Sequence, residues 1–363
     1  MTDLVRLPID EVTAAASTVF APHGASSGHI ALVVDNLIQA DRRGIHTHGI
    51  ARVPMYLNGL TSGSIDPTAV PTIEHGAPAA SCWNAKHAFG QVAMAALVDH
   101  ACDQANEVGS HIGVVHGSNH FGYAGHWVRR AADRGLIAMA FTSGGPLVIP
   151  TGGTRAELGT NPLALGIRSE RDEIVVDMST STVAMGKLEL ADRAGELVPT
   201  GWAVDGDGRP LNRPSDLIDG MLTGHAGGLL PLGGSGTGHG GHKGYGMGLL
   251  VEVLSAVLSG GGDLRAHKSG AERFAGHVSH SVIVIDPAHL AGVEPTNRAL
   301  DTLIGALRDS PPVDPDTPVK VPGDPEREWE STCEPGDVMI EVGCWDDLRT
   351  LAASVSDHGT TSP

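Results

Sequence analysis

The chain has 363 residues, 41% of them hydrophobic, and its 42 acidic against 24 basic side chains give a formal net charge of −18. That length supports two or three packed units, and the negative balance excludes the clustered Lys and Arg that nucleic acid or an anionic membrane surface would need. Four cysteines without a C-x-x-C pair, no signal-like N-terminus and no apolar run approaching about 18 residues point to a reduced, cytoplasmic protein that does not span a membrane.

Apolar spacing predicts a helix over residues 8–20, with Asp10 and Glu11 near its positive end. Ser26 and Ser27 offer an N-cap to a second helix whose Ile30, Val33, Val34, Leu37 and Ile38 share one face, and Gly44 is placed to end it. Just past that end come His46, Thr47, His48 and Arg52. On an acidic chain such an arginine is either a carboxylate clamp, through its planar fork, or one half of a surface ion pair; spacing alone leaves both open. Residues 61–79 are rich in Gly, Pro, Ser and Thr and read as a linker between lobes. An Ala-rich helix is expected over 89–108.

Residues 111–168 are the most informative stretch. A short apolar run at 112–115 enters GSNHFG (117–122), and a helical pattern follows with Ala124, Trp127, Val128, Ala131 and Ala132 in step. His120 on that turn is held by rigid neighbours yet open to a ligand, and an imidazole can carry a proton either way near neutrality. The plain alternative is a histidine that only caps the helix. Strands are expected over 136–142, 162–167 and 173–177. The last ends at Asp177-Met178-Ser179, a carboxylate and a hydroxyl that suit orienting a histidine or bonding a ribose, with an ordinary turn as the alternative. Residues 192–240 read as turns and glycine-rich loops. A glycine loop then opens a helix at 238–246, where free backbone N–H groups with His242 and Lys243 suit an anion or phosphate, and Leu249, Leu250, Val253, Leu254, Val257 and Leu258 lie on the helix face. GTGHGG (236–241) satisfies G-x-G-x-x-G, but no β-branched strand precedes it, so a Rossmann reading is rejected. A strand over 278–286 and a helix over 296–308, with Leu300, Leu303, Ile304 and Leu307 inward, follow. Residues 310–337 should wrap the surface, a short helix spans 345–351, and 354–363 should fray.

Together these segments resemble the type-2 malate/L-lactate dehydrogenase family, which includes malate, sulfolactate and ureidoglycolate dehydrogenases and reductases of keto acids and cyclic imino acids. The matching pieces are DRRGIHTHGIARVPMY, GSNHFGYAGHW, GGPLVIPTGG, LGTNPLAL, VVDMSTSTVAMGK, PTGWAVD, LLPLGG and GGHKGYGMGLLVEVLSAVLSG, in order over residues 28–350. The resemblance implies an α/β, non-Rossmann, family-specific fold with a largely antiparallel sheet that binds NAD or NADP, in a homodimer with its site near the subunit interface. It implies a helical substrate and dimerisation lobe of residues 1–76 with about 290–363, and a cofactor-binding lobe of about 77–289.

By the same resemblance His120 and His48 are the catalytic imidazoles, with His120 favoured as the proton carrier and Asp177 as the carboxylate that orients a histidine. Arg52 grips the substrate carboxylate, with Thr47 and Tyr56 beside it. Asp177, Met178 and Ser179 lie against the cofactor, Lys243 meets its phosphates, and His242, Gly244, Ser143, Thr160 and Asn161 complete the expected contacts. The chain departs from the family pattern at His46, at Ser143-Gly144-Gly145 and over 274–285, which bears on substrate size. The expected reaction is hydride transfer between NAD(P) and a small 2-hydroxy or 2-keto acid, with a cyclic imino acid as the alternative substrate, and no metal. Two other readings compete: a metal enzyme using the pairs His46/His48, His116/His120 or His239/His242, and a binding protein that keeps the fold without catalysis.

Overall fold

The computed structural model describes residues 3–223, 227–261 and 277–358. β1 (Leu4–Pro8) leads into α1 (Ile9–Phe20) and α2 (Ser27–Arg42); Ser26 caps α2 by accepting from His29 N at 3.1 Å, and Gly44, at φ 73°, reverses the chain behind it. Two single 3-10 turns, His46–His48 and Ile50–Arg52, then pass into α3 (Val53–Ser62). Next come β2 (Thr72–Ala77), β3 (Ala80–Asn84), α4 (Gly90–Val108), β4 (Ser110–Ser118), α5 (Ala124–Ala132), β5 (Ile137–Thr142), β6 (Leu163–Arg168) and β7 (Glu173–Met178).

The next part of the chain holds α6 (Met185–Arg193), β8 (Ala203–Asp205), β9 (Pro210–Leu211), α7 (Pro214–Thr223), β10 (Gly227–Leu229) and α8 (Gly241–Glu252), which runs on as a π-helical turn, Val253–Val257. The remainder is β11 (Val278–Ile285), α9 (Val293–Arg308), α10 (Asp324–Ser331), β12 (Asp337–Glu341) and α11 (Val342–His358). Among the described residues, no helix is long and apolar enough to cross a membrane.

The main sheet is seven-stranded and mixed, in the order β2-β3-β4-β11-β5-β6-β7. β3 and β4 run parallel because α4 carries the chain back between them, and the other neighbours are antiparallel. One face of this sheet packs on α4 and α5 through Leu97, Val98, Trp127, Val128 and the strand residues Val115, Val282 and Val284. A second core joins α1, α2 and α3 to β12 and α11, through Val12, Leu37, Tyr56, Val338 and Leu348. A third lies under α6 and α7 with β8 and β10, which belong to a separate three-stranded sheet.

Several sequence expectations are corrected here. Residues 61–79 are not only a linker: 72–77 is the end strand of the main sheet, missed because all six of its residues are exposed and show no alternation of burial. Residues 192–240 contain a helix and three short strands. In α9 only Leu300 and Ile304 are buried, while Leu303 and Leu307 face outward, since a helix laid on one neighbour covers a narrower stripe than its whole apolar set. Residues 310–337 include α10, and the C-terminal helix extends to His358, while 359–363, the rest of the segment expected to fray, lie outside the described residues. Residues 262–276, with part of the departure noted at 274–285, lie outside the described residues.

Candidate active site

The two histidine-bearing segments meet ring to ring, and α6 closes on the first of them. Asp41, buried at the end of α2, fixes the first. Its carboxylate accepts from Ile50 N at 2.8 Å and contacts His46 Nδ1 at 2.9 Å. Burial pushes the Asp41 pKa up, against the opposing pull of His46 and Ile50. Gly49 is required there, because a Cβ would stand 2.2 Å from that carboxyl group. Asp41 thus folds residues 45–50 tightly enough to bring His48 and Arg52 to one side.

The second segment is clamped from β11. His280, fully buried, meets Ser118 Oγ at 2.8 Å and Asn119 O at 3.1 Å through Nε2, and Thr142 Oγ1 at 2.7 Å through Nδ1. Its ring stacks on Phe121, with centroids 4.6 Å apart. Burial drives its pKa down to about 3. The Asn119 amide donates to the carbonyls of Ser64, His87 and Ala88. The turn that carries His120 therefore has little freedom.

Within that frame the rings of His48 and His120 stack, with centroids 5.6 Å apart and planes 20° from parallel. His120 Nδ1 accepts from Gly122 N at 3.3 Å and lies 2.7 Å from the Tyr56 hydroxyl. Gln91, itself fully buried, donates from Nε2 to that hydroxyl at 2.6 Å, so the tyrosine proton is directed onto the imidazole. A backbone N–H can only donate, so Nδ1 must present its lone pair and the neutral ring carries its proton on Nε2. His48 Nδ1 lies 2.9 Å from Thr47 Oγ1. Burial, then the Arg52 charge, lowers the His48 pKa to about 3; burial above all, reinforced by the Arg52 guanidinium, holds His120 well below its ordinary value. Both rings are neutral at pH 7.

Arg52 donates from Nε to Thr47 O at 2.5 Å and pairs through Nη2 with Glu189 at 2.8 Å. Glu189 comes from α6, whose Gly186 permits the approach: a Cβ there would sit 2.8 Å from Arg52 Nη2 and from Thr47. A recess lined by Arg52, Pro54, Glu189, Arg193 and Asp347 opens beside the pair.

The other predicted residues fall into two groups. Tyr56 is 1% exposed, and its hydroxyl is spent on His120 and Gln91, so it positions an imidazole rather than facing a ligand. Asp177 bonds neither histidine: its Oδ2 accepts from Gly125 N at 2.7 Å in the first turn of α5. Asp177 is exposed at its surface, yet partial desolvation of the carboxyl by the surrounding protein pushes its pKa up to about 6, against the pull of that N–H.

Asn161 is fully buried at φ 38° and donates to Gly248 O and Glu252, tying the β5–β6 connection to α8. Ser143 is buried on Ser279, Thr160 gives its carbonyl to Thr180, and Gly244 lies where a Cβ would meet Leu232 O at 2.2 Å. Ser179 bonds Ser181 O, and Met178 is half-buried opposite Leu163. By contrast His242 and Lys243 are exposed at the start of α8. Their own N–H groups donate to Gly236 O and Gly240 O, so an anion there would be held by the side-chain charges more than by free amides.

Gln91, Glu189 and His280 have no signal in the sequence, since each acts through partners distant along the chain. Asp41 acts on the nearby His46 and Ile50 and reads in the sequence only as a carboxylate at a helix end. Of the histidine pairs suggested by spacing, His46 contacts Asp41 and His48 Thr47, while His116 contacts Glu74 and His120 Tyr56.

Comparison with known proteins places these features in a family. The family model described as malate/L-lactate dehydrogenase matches residues 7–349. The chain is 36% identical over 306 residues to a malate dehydrogenase of Pyrococcus abyssi, covering 84% of this chain and 83% of that protein. It is 36% identical over 280 residues to a Delta(1)-pyrroline-2-carboxylate/Delta(1)-piperideine-2-carboxylate reductase of Pseudomonas syringae pv. tomato, covering 76% and 77% of the two chains. The solved malate dehydrogenase of Pyrococcus horikoshii OT3 superposes with a TM-score of 0.87 at 30% identity, over 98% of this chain and 97% of that one.

Proposed function

The chain belongs to the malate/L-lactate dehydrogenase family, and from that premise we propose that it interconverts a small 2-hydroxy acid and its 2-keto acid with NAD or NADP. The observation that carries this reading is the stacked pair of neutral imidazoles beside one arginine. When bound, the nicotinamide supplies or takes the hydride; the chain must bind the acid, orient it and move one proton. Exposed Lys243 and His242 are the side chains suited to the cofactor phosphates.

Arg52 holds the substrate carboxylate, which takes the place of Glu189 on Nη2. His120, fixed with its proton on Nε2, donates a hydrogen bond to the substrate oxygen. It cannot also serve as the base at that atom. His48 can, if Nδ1–H donates to Thr47 Oγ1 and leaves Nε2 free. In the oxidative direction His48 Nε2 takes the hydroxyl proton, and in reduction it returns one. This reverses the roles suggested by the sequence, where His120 was favoured as carrier. Once the acid's carboxylate offsets Arg52, the second cause of the low His48 pKa weakens and the ring holds its proton more readily.

A cyclic imino acid offers the same carboxylate and a planar C=N in place of C=O, so it suits the same groups, and the Pseudomonas relative favours it as the second reading. The exposed Leu249, Leu250, Val253, Val257 and Leu258 along α8 and its π-helical end support a homodimer; a monomer by light scattering at micromolar concentration would count against it. Four free cysteines suit the cytoplasm. The test of function is a panel of 2-keto acids and cyclic imino acids, each with NADH and NADPH, followed at the nicotinamide absorbance. Turnover of none of them removes the reading.

A further inference from the structure

On the sheet face turned away from α4, three strands bring Glu74, Cys82 and His116 together. Trp83 and Val115 belong to the core under α4, so their neighbours Cys82 and His116 point the other way. β2 is the end strand, and burial gives it little hold. Ile73 opposes Trp83 and His75 opposes Cys82, which leaves Glu74 as the additional residue of a bulge. A bulge re-aims a side chain, and this one brings Glu74 to the Cys82 face. Glu74 Oε1 accepts from Asn84 Nδ2 at 2.9 Å and Oε2 from His116 Nε2 at 2.8 Å. One donor atom from each of Glu74, Cys82 and His116 lies within 4.8 Å of the other two.

We propose that Glu74, Cys82 and His116 form a binding site for a divalent cation of borderline softness, of which Zn2+ is the type, with water completing the coordination. A tetrahedral zinc sphere of O, N and S donors has edges of about 3.3–3.6 Å from its bond lengths, so modest side-chain rotations close the set. A thiolate and an imidazole select against Mg2+ and Ca2+, which take oxygen. Binding releases the thiol proton, while His116, which now gives its Nε2 proton to Glu74, takes the neutral Nδ1–H tautomer so that Nε2 offers its lone pair; the thiolate and carboxylate then balance the ion's charge. Asn84 already holds the second carboxylate oxygen, as an outer partner of a metal ligand does. The ion would fasten an exposed end strand to the two strands beside it. The site is separate from the imidazole pair and does not depend on the oxidoreductase reading.

The test is metal titration of the full-length protein after chelator treatment. Co2+ is expected to bind at one equivalent per chain with the near-ultraviolet absorption of a cobalt–thiolate bond, and Zn2+ to displace it and raise Tm. Cys82→Ser should abolish the absorption and the Tm rise, and His116→Asn should weaken binding by about tenfold or more. Cys102→Ala, at a cysteine buried in α4, should leave both intact. Circular dichroism establishes that each variant is folded. No thiolate absorption at millimolar Co2+, or absorption that survives Cys82→Ser, overturns the proposal.

Discussion

His48 and His120 lie ring against ring, 5.6 Å between centroids, and each has its Nδ1 beside a hydroxyl of its own, Thr47 for one and Tyr56 for the other. That arrangement makes two like rings unlike. The hydroxyl beside His120 itself accepts a hydrogen bond from Gln91, and the Gly122 N–H closes the remaining choice, so His120 is a fixed donor at Nε2. Thr47 is free to accept, so His48 can be the ring that changes charge. Glu173, by comparison, is ion-paired with Arg43 and Arg129 behind this layer and adds rigidity without chemistry.

His48→Asn is expected to lower kcat by about 10²–10⁴-fold, the usual contribution of a positioned acid–base group. His120→Asn should act on KM as well, because it removes a bond to the substrate oxygen in both ground and transition states. The free-enzyme pH profile carries a further mark. With the His48 pKa lowered to about 3, kcat/KM for oxidation should show no histidine limb near pH 6.5. Steady-state kinetics of both variants over pH 4–9 check this; an imidazole limb near 6.5 that vanishes only in His120→Asn would return the carrier role to His120.

Tyr56→Phe removes one acceptor and one donor at once. Gln91 Nε2 is then left without its partner in a buried site, at a stability cost of about 1–3 kcal/mol. His120 loses the hydroxyl that feeds Nδ1, so the population with its proton on Nε2 should fall, and kcat/KM with it by about 2–10-fold, the worth of one hydrogen bond. Nitrogen-15 NMR of the imidazoles reads the tautomer directly. An unchanged His120 spectrum in the variant would show that Gly122 alone sets it.

Glu189→Gln tests the competition at Arg52. The pair is partly exposed, so its attraction is about 0.2–1 kcal/mol. Removing the charge should lower KM for the anionic acid by up to about fivefold and leave kcat nearly unchanged. A KM that rises would mean that Glu189 orients Arg52 for the substrate rather than competing with it.

How much of this was legible in the sequence follows from how far apart the partners lie. The turn after α2 and the GSNHFG turn are local patterns, so His48, Arg52 and His120 could be found by reading along the chain. Tyr56 and His120 are 64 residues apart, and His280 reaches Ser118 across 162, so their bonds exist only once β4, β11 and α3 are packed. The same holds for Glu189, which sits in an ordinary amphipathic stretch until Gly186 lets α6 close on Thr47. Asp177 marks the opposite error. A carboxylate at a strand end looked suited to orient a histidine, but antiparallel pairing of β6 with β7 delivers it to the start of α5 instead.

At that position Asp177 couples folding to pH. Its folded pKa, about 6, stands above the ordinary carboxyl value of 3.8. The folded protein therefore binds a proton that the unfolded chain releases between pH 3.8 and 6. The contribution of this group is most favourable below pH 3.8 and is lost as pH rises through 6, since above that point the carboxylate carries its charge with part of its hydration lost. Asp177→Asn keeps an oxygen for Gly125 N and removes the charge. The variant should match the wild type near pH 4 and unfold at a higher Tm at pH 8, with the difference opening between pH 4 and 6 and steady above. Thermal melts of both proteins across pH 4–8 measure it. A difference that is constant across this range would mean that Asp177 titrates at its ordinary value and that the Gly125 bond and the α5 terminus offset the crowding.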